Sequence, residues 1–314
     1  MNSTPIREWL IFGALIVALL AIDLGVLHRK AHEIKVKEAL IEGGGWIGVS
    51  LLFCVWIYFS HGAAPAIQFL TAYLVEKSLS VDNILVFLLI FHAFQIPAKA
   101  QHKVLYWGVL GALLMRALFI FAGVELLAAF HPVLYIFGGI LLVTGARLLR
   151  PKSSGPRRDV HWIVRWTSRI MPVAHEPDAT RFWTRQNGRR MATPLLIGLL
   201  AIEIMDIVFA MDSVPAVLAI SRDTFIVYTS NAFAILGLRA LYFALARVLP
   251  RLRYLRQGLA AVLLVMGLKM IGSDWVHLSD LVSLGIVATI LAITVAASLL
   301  RPKTEIHTDE TTVS

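Results

Sequence analysis

The sequence predicts an all-α fold: a polytopic membrane bundle of about nine transmembrane helices in a single domain, residues 1–314. Three observations predict it. First, 58% of the residues are hydrophobic and the mean hydropathy is +0.75, against roughly 45–50% apolar residues in a soluble domain. Second, several apolar runs reach the ~20 residues needed to cross about 30 Å of hydrocarbon. Third, acids stand inside two of those runs, Leu74-Val-Glu-Lys-Ser-Leu-Ser-Val-Asp-Asn83 and Ala201-Ile-Glu-Ile-Met-Asp-Ile-Val-Phe-Ala-Met-Asp-Ser213. An acid at membrane depth costs roughly 3 kcal/mol on the lenient insertion scale, so Glu76, Asp82, Glu203, Asp206 and Asp212 facing lipid would cost on the order of 15 kcal/mol. They must face a protein interior or a watery path, and an ion or proton site is the expectation.

Helices are expected near 9–28, 46–62, 65–95, 104–129, 131–149, 193–220, 224–248, 256–273 and 279–300. No small-residue cleavage site follows the first apolar run, so it is expected to be kept as a span. Residues 9–62 are two leading helices, 65–149 a first three-helix unit, 150–190 a linker, 193–273 a second unit and 279–300 a last helix. The polar tail 303–314 is expected to be disordered. Alternate threading puts Arg29, Lys30, Lys35, Lys37, Lys99, Lys103, the basic linker, Arg247, Arg251, Arg253, Arg256, Arg301 and Lys303 on one side, and only Arg7 and Arg222 on the other. By the positive-inside rule the linker and the C-terminus are cytoplasmic and the N-terminus is outside.

The net charge of +9 resides in these loops, and no basic-aromatic module argues for nucleic acid. Cys54 is the only cysteine, which excludes disulfides within the chain and thiolate metal sites. No Walker loop, hydrolase elbow or zinc-protease motif is present, so neither an enzyme nor a resident cofactor is expected. In the linker, Trp162, Ile163, Trp166 and Ile170 recur at helical spacing around Arg165 and Arg169, which suits a short helix on the cytoplasmic membrane surface. Docking of a membrane or secretory-pathway partner is the alternative use.

An internal repeat accompanies the acids. Glu76-Lys-Ser-Leu-Ser-Val-Asp82-Asn83 lies over Asp206-Ile-Val-Phe-Ala-Met-Asp212-Ser213. The run Val104 to Arg116 lies over Val227 to Arg239, and Leu141-Leu-Val-Thr-Gly-Ala-Arg147 over Leu263-Leu-Val-Met-Gly-Leu-Lys269. Each unit has three helices, so the second enters the membrane from the opposite side, as in secondary transporters whose ion site lies where the units meet. Acids six residues apart on an ideal helix point about 120° from each other. For Glu76 and Asp82 to serve one ion the helix must unwind between them, or two helices must share the work. Pro215, just past Asp212, favours a break in the second copy.

The candidate ligands are Glu76, Asp82, Asn83, Glu203, Asp206, Asp212 and Ser213. These hard oxygen donors suit Mn²⁺, Ca²⁺ or Mg²⁺ better than Zn²⁺ or Cu⁺, and the same acids can load protons instead. Asp23, Asn231, Arg116 and Arg239 are pathway candidates. The purely structural alternative has the acids salt-bridged to Lys77, Arg116, Arg239 and Lys269. Met205 and Met211 each precede an acid, but methionines in helices mostly fill space.

The motifs Glu76 to Asn83, Phe209-Ala-Met-Asp-Ser-Val-Pro215 and Thr229-Ser-Asn-Ala-Phe-Ala-Ile-Leu-Gly-Leu-Arg239 resemble the TerC family of integral membrane proteins, in particular its Alx-type members. The likeness runs from about residue 9 to 300 and includes Asp23. It implies a LysE-superfamily fold, export of metal ions, chiefly Mn²⁺, across the bacterial cytoplasmic (inner) membrane, and a link to the alkaline pH response. Met205 and Met211 depart from the family's usual residues. A non-transporting membrane scaffold that supports metalation of exported proteins, or a metal and pH stress complex, is the competing function.

Overall fold

The computed structural model describes residues 5–22, 36–149, 181–186, 189–245, 254–276 and 278–300. Asp23, the Trp162–Ile170 stretch and the C-terminal tail lie outside the described residues, as does the side chain of Asp82. The helices are α1 (Ile6–Ile22), α2 (Val36–His61), α3 (Ala63–Ala93), α4 (Ala98–Ala129), α5 (Val133–Leu149), α6 (Pro194–Leu218), α7 (Thr224–Leu236), α8 (Leu238–Leu245), α9 (Leu255–Ile271) and α10 (Asp280–Leu300). Between α5 and α6 stand two short antiparallel strands, β1 (Trp183–Gln186) and β2 (Arg189–Ala192).

Six helical stretches among the described residues are long and apolar enough to cross a membrane. The expected number was nine. The described parts of α1 and α5 are 17 residues each, and the 31-residue α3 carries Glu76, Lys77 and Asp82 in its middle. The stretch expected as one span over 224–248 is split at Gly237 into α7 and α8.

Local chemistry sets the helix ends. Gly62 alone separates α2 from α3, at φ 96°, a conformation that side-chain-bearing residues avoid. Pro194 opens α6 at its first turn, where its missing N–H costs nothing. The Asp223 carboxylate caps α7, accepting from the Phe225 N–H at 2.9 Å and the Ile226 N–H at 3.4 Å.

The breaks expected near the acids do not form. α3 runs unbroken past Glu76 and Asp82, and α6 continues through Pro215 to Leu218. Pro215 lies three residues from the helix end, so few turns are left beyond it to disrupt. The break falls instead at Gly237, where a Cβ would come within 2.6 Å of Lys77 Nζ and 3.2 Å of Trp46 Cβ. Lys77 Nζ donates to the Ala234 carbonyl at 3.3 Å, partnering a carbonyl in the last turn of α7.

The α7–α8 stretch is the most enclosed of the six. α4 packs against α6, and α7 packs against α3. Phe12, Phe53, Phe69, Phe225 and Phe233 knit α1, α2, α3 and α7 at one end. Apolar residues such as Leu52, Phe59, Ile293 and Leu299 are exposed on α2 and α10, as lipid-facing helices require.

α5 and α9 meet backbone to backbone. A Cβ on Gly267 would lie 2.9 Å from the Gly138 carbonyl oxygen, and one on Gly145 would lie 3.0 Å from that of Ala260. Small residues at such crossings let van der Waals contact hold membrane helices together. Gly267→Ala should therefore push the pair apart and cost about 1–3 kcal/mol, read as a lowered thermal midpoint in detergent. An unchanged midpoint would show that this crossing does not limit stability.

Candidate functional site

The centre of the bundle holds charge. Glu76 on α3 is wholly buried, Arg116 on α4 is 1% exposed, Asp206 on α6 is 4% exposed and Asn231 on α7 is wholly buried. Arg116 Nη1 donates to Glu76 Oε1 and, at 3.4 Å, to Asn231 Oδ1, while Nη2 reaches Asp206 Oδ1 at 3.4 Å. One planar guanidinium thus ties three other helices together, as its fork of fixed donors allows. Glu76 Oε2, Asp206 Oδ2, Asn231 Nδ2 and Arg116 Nε have no hydrogen-bond partner among the described residues. Buried polar atoms without partners are rare in folded proteins and call for an explanation. Two carboxyl groups thus face a single guanidinium.

Beside the cluster lies a narrow cavity of about 10 Å³, with Ser80, Asn83, Arg116, Asp206 and Arg239 on its wall. That is room for about one water-sized body. On the same wall, Arg239 Nη2 donates to Glu42 Oε1 of α2 at 2.9 Å.

Glu203 and Asp212 lie on either side of Asp206 along α6. Asp212 Oδ1 accepts from the Thr144 hydroxyl of α5 at 2.8 Å, and Asp212 is only partly buried. Ser213 is buried, with a hydroxyl that has no partner among the described residues. Glu203 lies against Gly111 of α4, where a Cβ would fall 2.1 Å from the carboxylate. Because that obstacle is the end of a flexible side chain, Gly111→Ala should displace the Glu203 carboxylate and leave the helices in place. Its thermal midpoint should match the wild type, and a drop as large as that of Gly267→Ala would contradict this. Met205 is buried among apolar side chains and Met211 is 59% exposed.

The structure therefore brings together Glu76, Asp206, Arg116 and Asn231, and sets Asn83 and Arg239 on the same cavity. Asp212, Ser213 and Glu203 do not line it. Among the described residues no three His, Cys, Asp or Glu side chains gather as a metal cage. Of the salt bridges considered from the sequence, those of Glu76 and Asp206 with Arg116 form, whereas Lys269 lies 3.9 Å from Asp280.

Sequence reasoning missed Glu42 and Thr144. The second span was expected from residue 46, but α2 begins at Val36, so Glu42 was read as part of a loop. A Cβ on the neighbouring Gly43 would make only ordinary contact with α8, 3.9 Å from Ala240 Cβ. Thr144 carried no signal that separates it from an ordinary helix-packing hydroxyl.

Apolar helices enclosing acids that share one buried arginine define an integral, multi-pass membrane protein with a polar centre. The chain belongs to the TerC family: the model of the integral membrane protein TerC family matches residues 61–305. It is 47% identical over 295 residues to the membrane protein STKORF319 of Myxococcus xanthus, covering 94% of this chain and 92% of that one. It is 42% identical over 305 residues to the Escherichia coli K12 protein named "Putative membrane-bound redox modulator Alx", covering 94% and 95%. A membrane protein of Rickettsia bellii is 37% identical over 294 residues, covering 94% and 97%. No solved structure matches.

Proposed function

We propose that this protein exports a divalent cation, Mn²⁺ foremost, across the bacterial inner membrane, driven by proton exchange or by the membrane potential. The observation that carries the reading is the pairing of Glu76 and Asp206, from two helices, on the single Arg116 guanidinium, each with one oxygen left over. Arg116 acts as an internal counter-ion that keeps two buried carboxylates tolerable without saturating them. A dication brings twice the charge of a guanidinium, so it can displace Arg116 and take the oxygens for itself. Protons are the other load that lets the carboxylates part from the arginine. Hard oxygens favour Mn²⁺, Ca²⁺ and Mg²⁺.

In this reading Glu76, Asp82, Asn83 and Asp206 supply the central ligands, with Ser213 beyond them beside Asp212. Glu203 stands on the cytoplasmic side of them along α6, and Asp212 on the outer side. The orientation rests on the Lys/Arg asymmetry, with the N-terminus outside and the C-terminus cytoplasmic.

The inverted repeat belongs to the same proposal, and the packing supports it. Aligning Leu141–Arg147 with Leu263–Lys269 sets Gly145 on Gly267 and, three residues earlier than the aligned run, Gly138 on Ala260. The contact of Gly145 with the Ala260 carbonyl and that of Gly267 with the Gly138 carbonyl are then the same contact with the units exchanged. The packing of α4 on α6 and of α7 on α3 is exchanged in the same way. Arg116 and Arg239 are equivalent in sequence, and each meets an acid, Arg116 reaching Glu76 and Asp206 and Arg239 reaching Glu42.

The test is flux. Purified protein in liposomes holding a Mn²⁺-quenched dye, under an imposed pH gradient, should quench the dye, and Asp206→Asn should abolish the signal in protein that still inserts. Absence of flux for every divalent ion tried would overturn the proposal. It would leave the scaffold reading, for which a stoichiometric partner lost on removal of the 150–190 linker would speak.

A further inference from the structure

The β1–β2 hairpin contains a local conflict that the transport path does not explain. In its ladder Arg185 lies directly opposite Arg190, and Trp183 opposite Ala192, so these four side chains share one face. Like charges directly opposite one another destabilise an antiparallel pair, and an isolated two-stranded hairpin is marginal in water. Both arginines are exposed, and Trp183 is 51% exposed. None of the ion pairs among the described residues includes either arginine.

The hairpin's place is fixed. The Thr193 N–H donates to the Phe182 carbonyl at 3.1 Å and the Thr193 hydroxyl to the Arg181 carbonyl at 2.6 Å, directly before α6 enters its apolar run at Pro194. Lys103 of α4 stands 4.9 Å from the centre of the Phe182 ring. The hairpin therefore sits at the polar end of a spanning helix, at the level where tryptophan and arginine gather in membrane proteins.

We propose that the Trp183–Arg185–Arg190 face binds the phosphate headgroup of an anionic membrane lipid, and that this lipid stabilises the hairpin. A phosphate between the two guanidinium groups supplies the negative charge that the ladder lacks and receives charge-assisted hydrogen bonds from both. Trp183 beside them sits at headgroup level, with its ring in the interface. A free anion would leave that exposed indole without a partner, so the headgroup is the occupant. The inference depends on the proposed orientation only in naming the leaflet, the cytoplasmic one.

Amide hydrogen exchange of residues 183–192, in the full chain held in nanodiscs, tests it. In discs of phosphatidylcholine with phosphatidylglycerol, exchange should be about tenfold slower or more than in phosphatidylcholine alone, given two arginines near an anionic surface. Arg185→Glu places an acid opposite Arg190, so the hairpin should be protected in both kinds of disc and lose its dependence on lipid. Arg185→Gln should exchange at one rate in both. Equal exchange of the wild type in the two discs would overturn the proposal. Equal slowing by inorganic phosphate added to zwitterionic discs would also overturn it, by making the pair a free-anion site. The readout is independent of flux, so its failure cannot be confused with failure of the transport reading.

Discussion

Arg116→Met is expected to destabilise the folded protein by about 3–5 kcal/mol, the cost of stranding a buried charge by removing its partner. Two charges are stranded here. Glu76 is wholly buried and Asp206 nearly so, and without the guanidinium they become neighbouring carboxylates with no cation between them. Methionine approximates the apolar stem of arginine and leaves no large void, so the loss reports on charge more than on packing. Arg116→Lys should recover only part of the loss, because a compact ammonium cannot make the forked contact to two acids and Asn231. The decisive comparison is the double variant Arg116→Met with Glu76→Gln, which removes one of the two stranded charges and should regain at least half of the lost stability. Thermal midpoints in detergent measure all three. If Arg116→Met unfolds with the wild type, or if the second substitution adds to the damage, the arginine does not neutralise the acids. Should the single variant fail to accumulate, recovery of the double variant still decides the matter.

That same cluster shows how much the sequence disclosed. The membrane class was legible because lipid demands apolar runs of fixed length, and the acids within those runs had to point inward. The meeting of Glu76 and Asp206 on Arg116 was foreseen as a pairing, since a buried arginine at membrane depth needs an acid. The contact of Arg239 with Glu42 was not foreseen. Glu42 lies in the first third of α2, before the apolar run that announces the span, and hydropathy cannot see a helix that extends beyond lipid. Of the two ways expected for acids six residues apart to be served, unwinding or shared work between helices, α3 does not unwind, and neighbouring helices supply partners: Arg116 comes to Glu76 and Thr144 comes to Asp212. The break favoured at Pro215 in α6 does not form. A proline near a helix end breaks little, whereas Gly237 interrupts its helix because α3 and α2 press Lys77 and Trp46 against it. Such breaks depend on tertiary approach, which a linear pattern does not record. The hairpin had one legible sign, the Asn187-Gly188 dipeptide between the strands, which favours a two-residue turn.

The separation of Asp206 from Asp212 leads to the prediction with the largest expected effect on activity. Asp206→Asn should lower Mn²⁺ flux in proteoliposomes by more than about 100-fold, beyond the roughly 10–100-fold loss caused by removing an outer-shell partner of a metal site. The fold should survive, because Arg116 keeps Glu76 and the remaining pair is neutral, in contrast to the removal of Arg116. Asp212→Asn should act differently. Its carboxylate sits on Thr144 and does not line the cavity beside Arg116, so in the proposed path it handles the ion after the central acids release it. Its loss should fall within about 10–100-fold and appear in the maximal rate, with the half-saturating Mn²⁺ concentration little changed. Thr144→Val, which removes the hydroxyl that holds Asp212, should shift the maximal rate in the same direction by less. A parallel rise in half-saturation for Asp206→Asn and Asp212→Asn would place both acids on one ion. Undiminished flux in Asp206→Asn would reduce the whole Arg116 cluster to architecture, because a cation that crosses this bilayer without the Glu76–Asp206 pair must travel elsewhere.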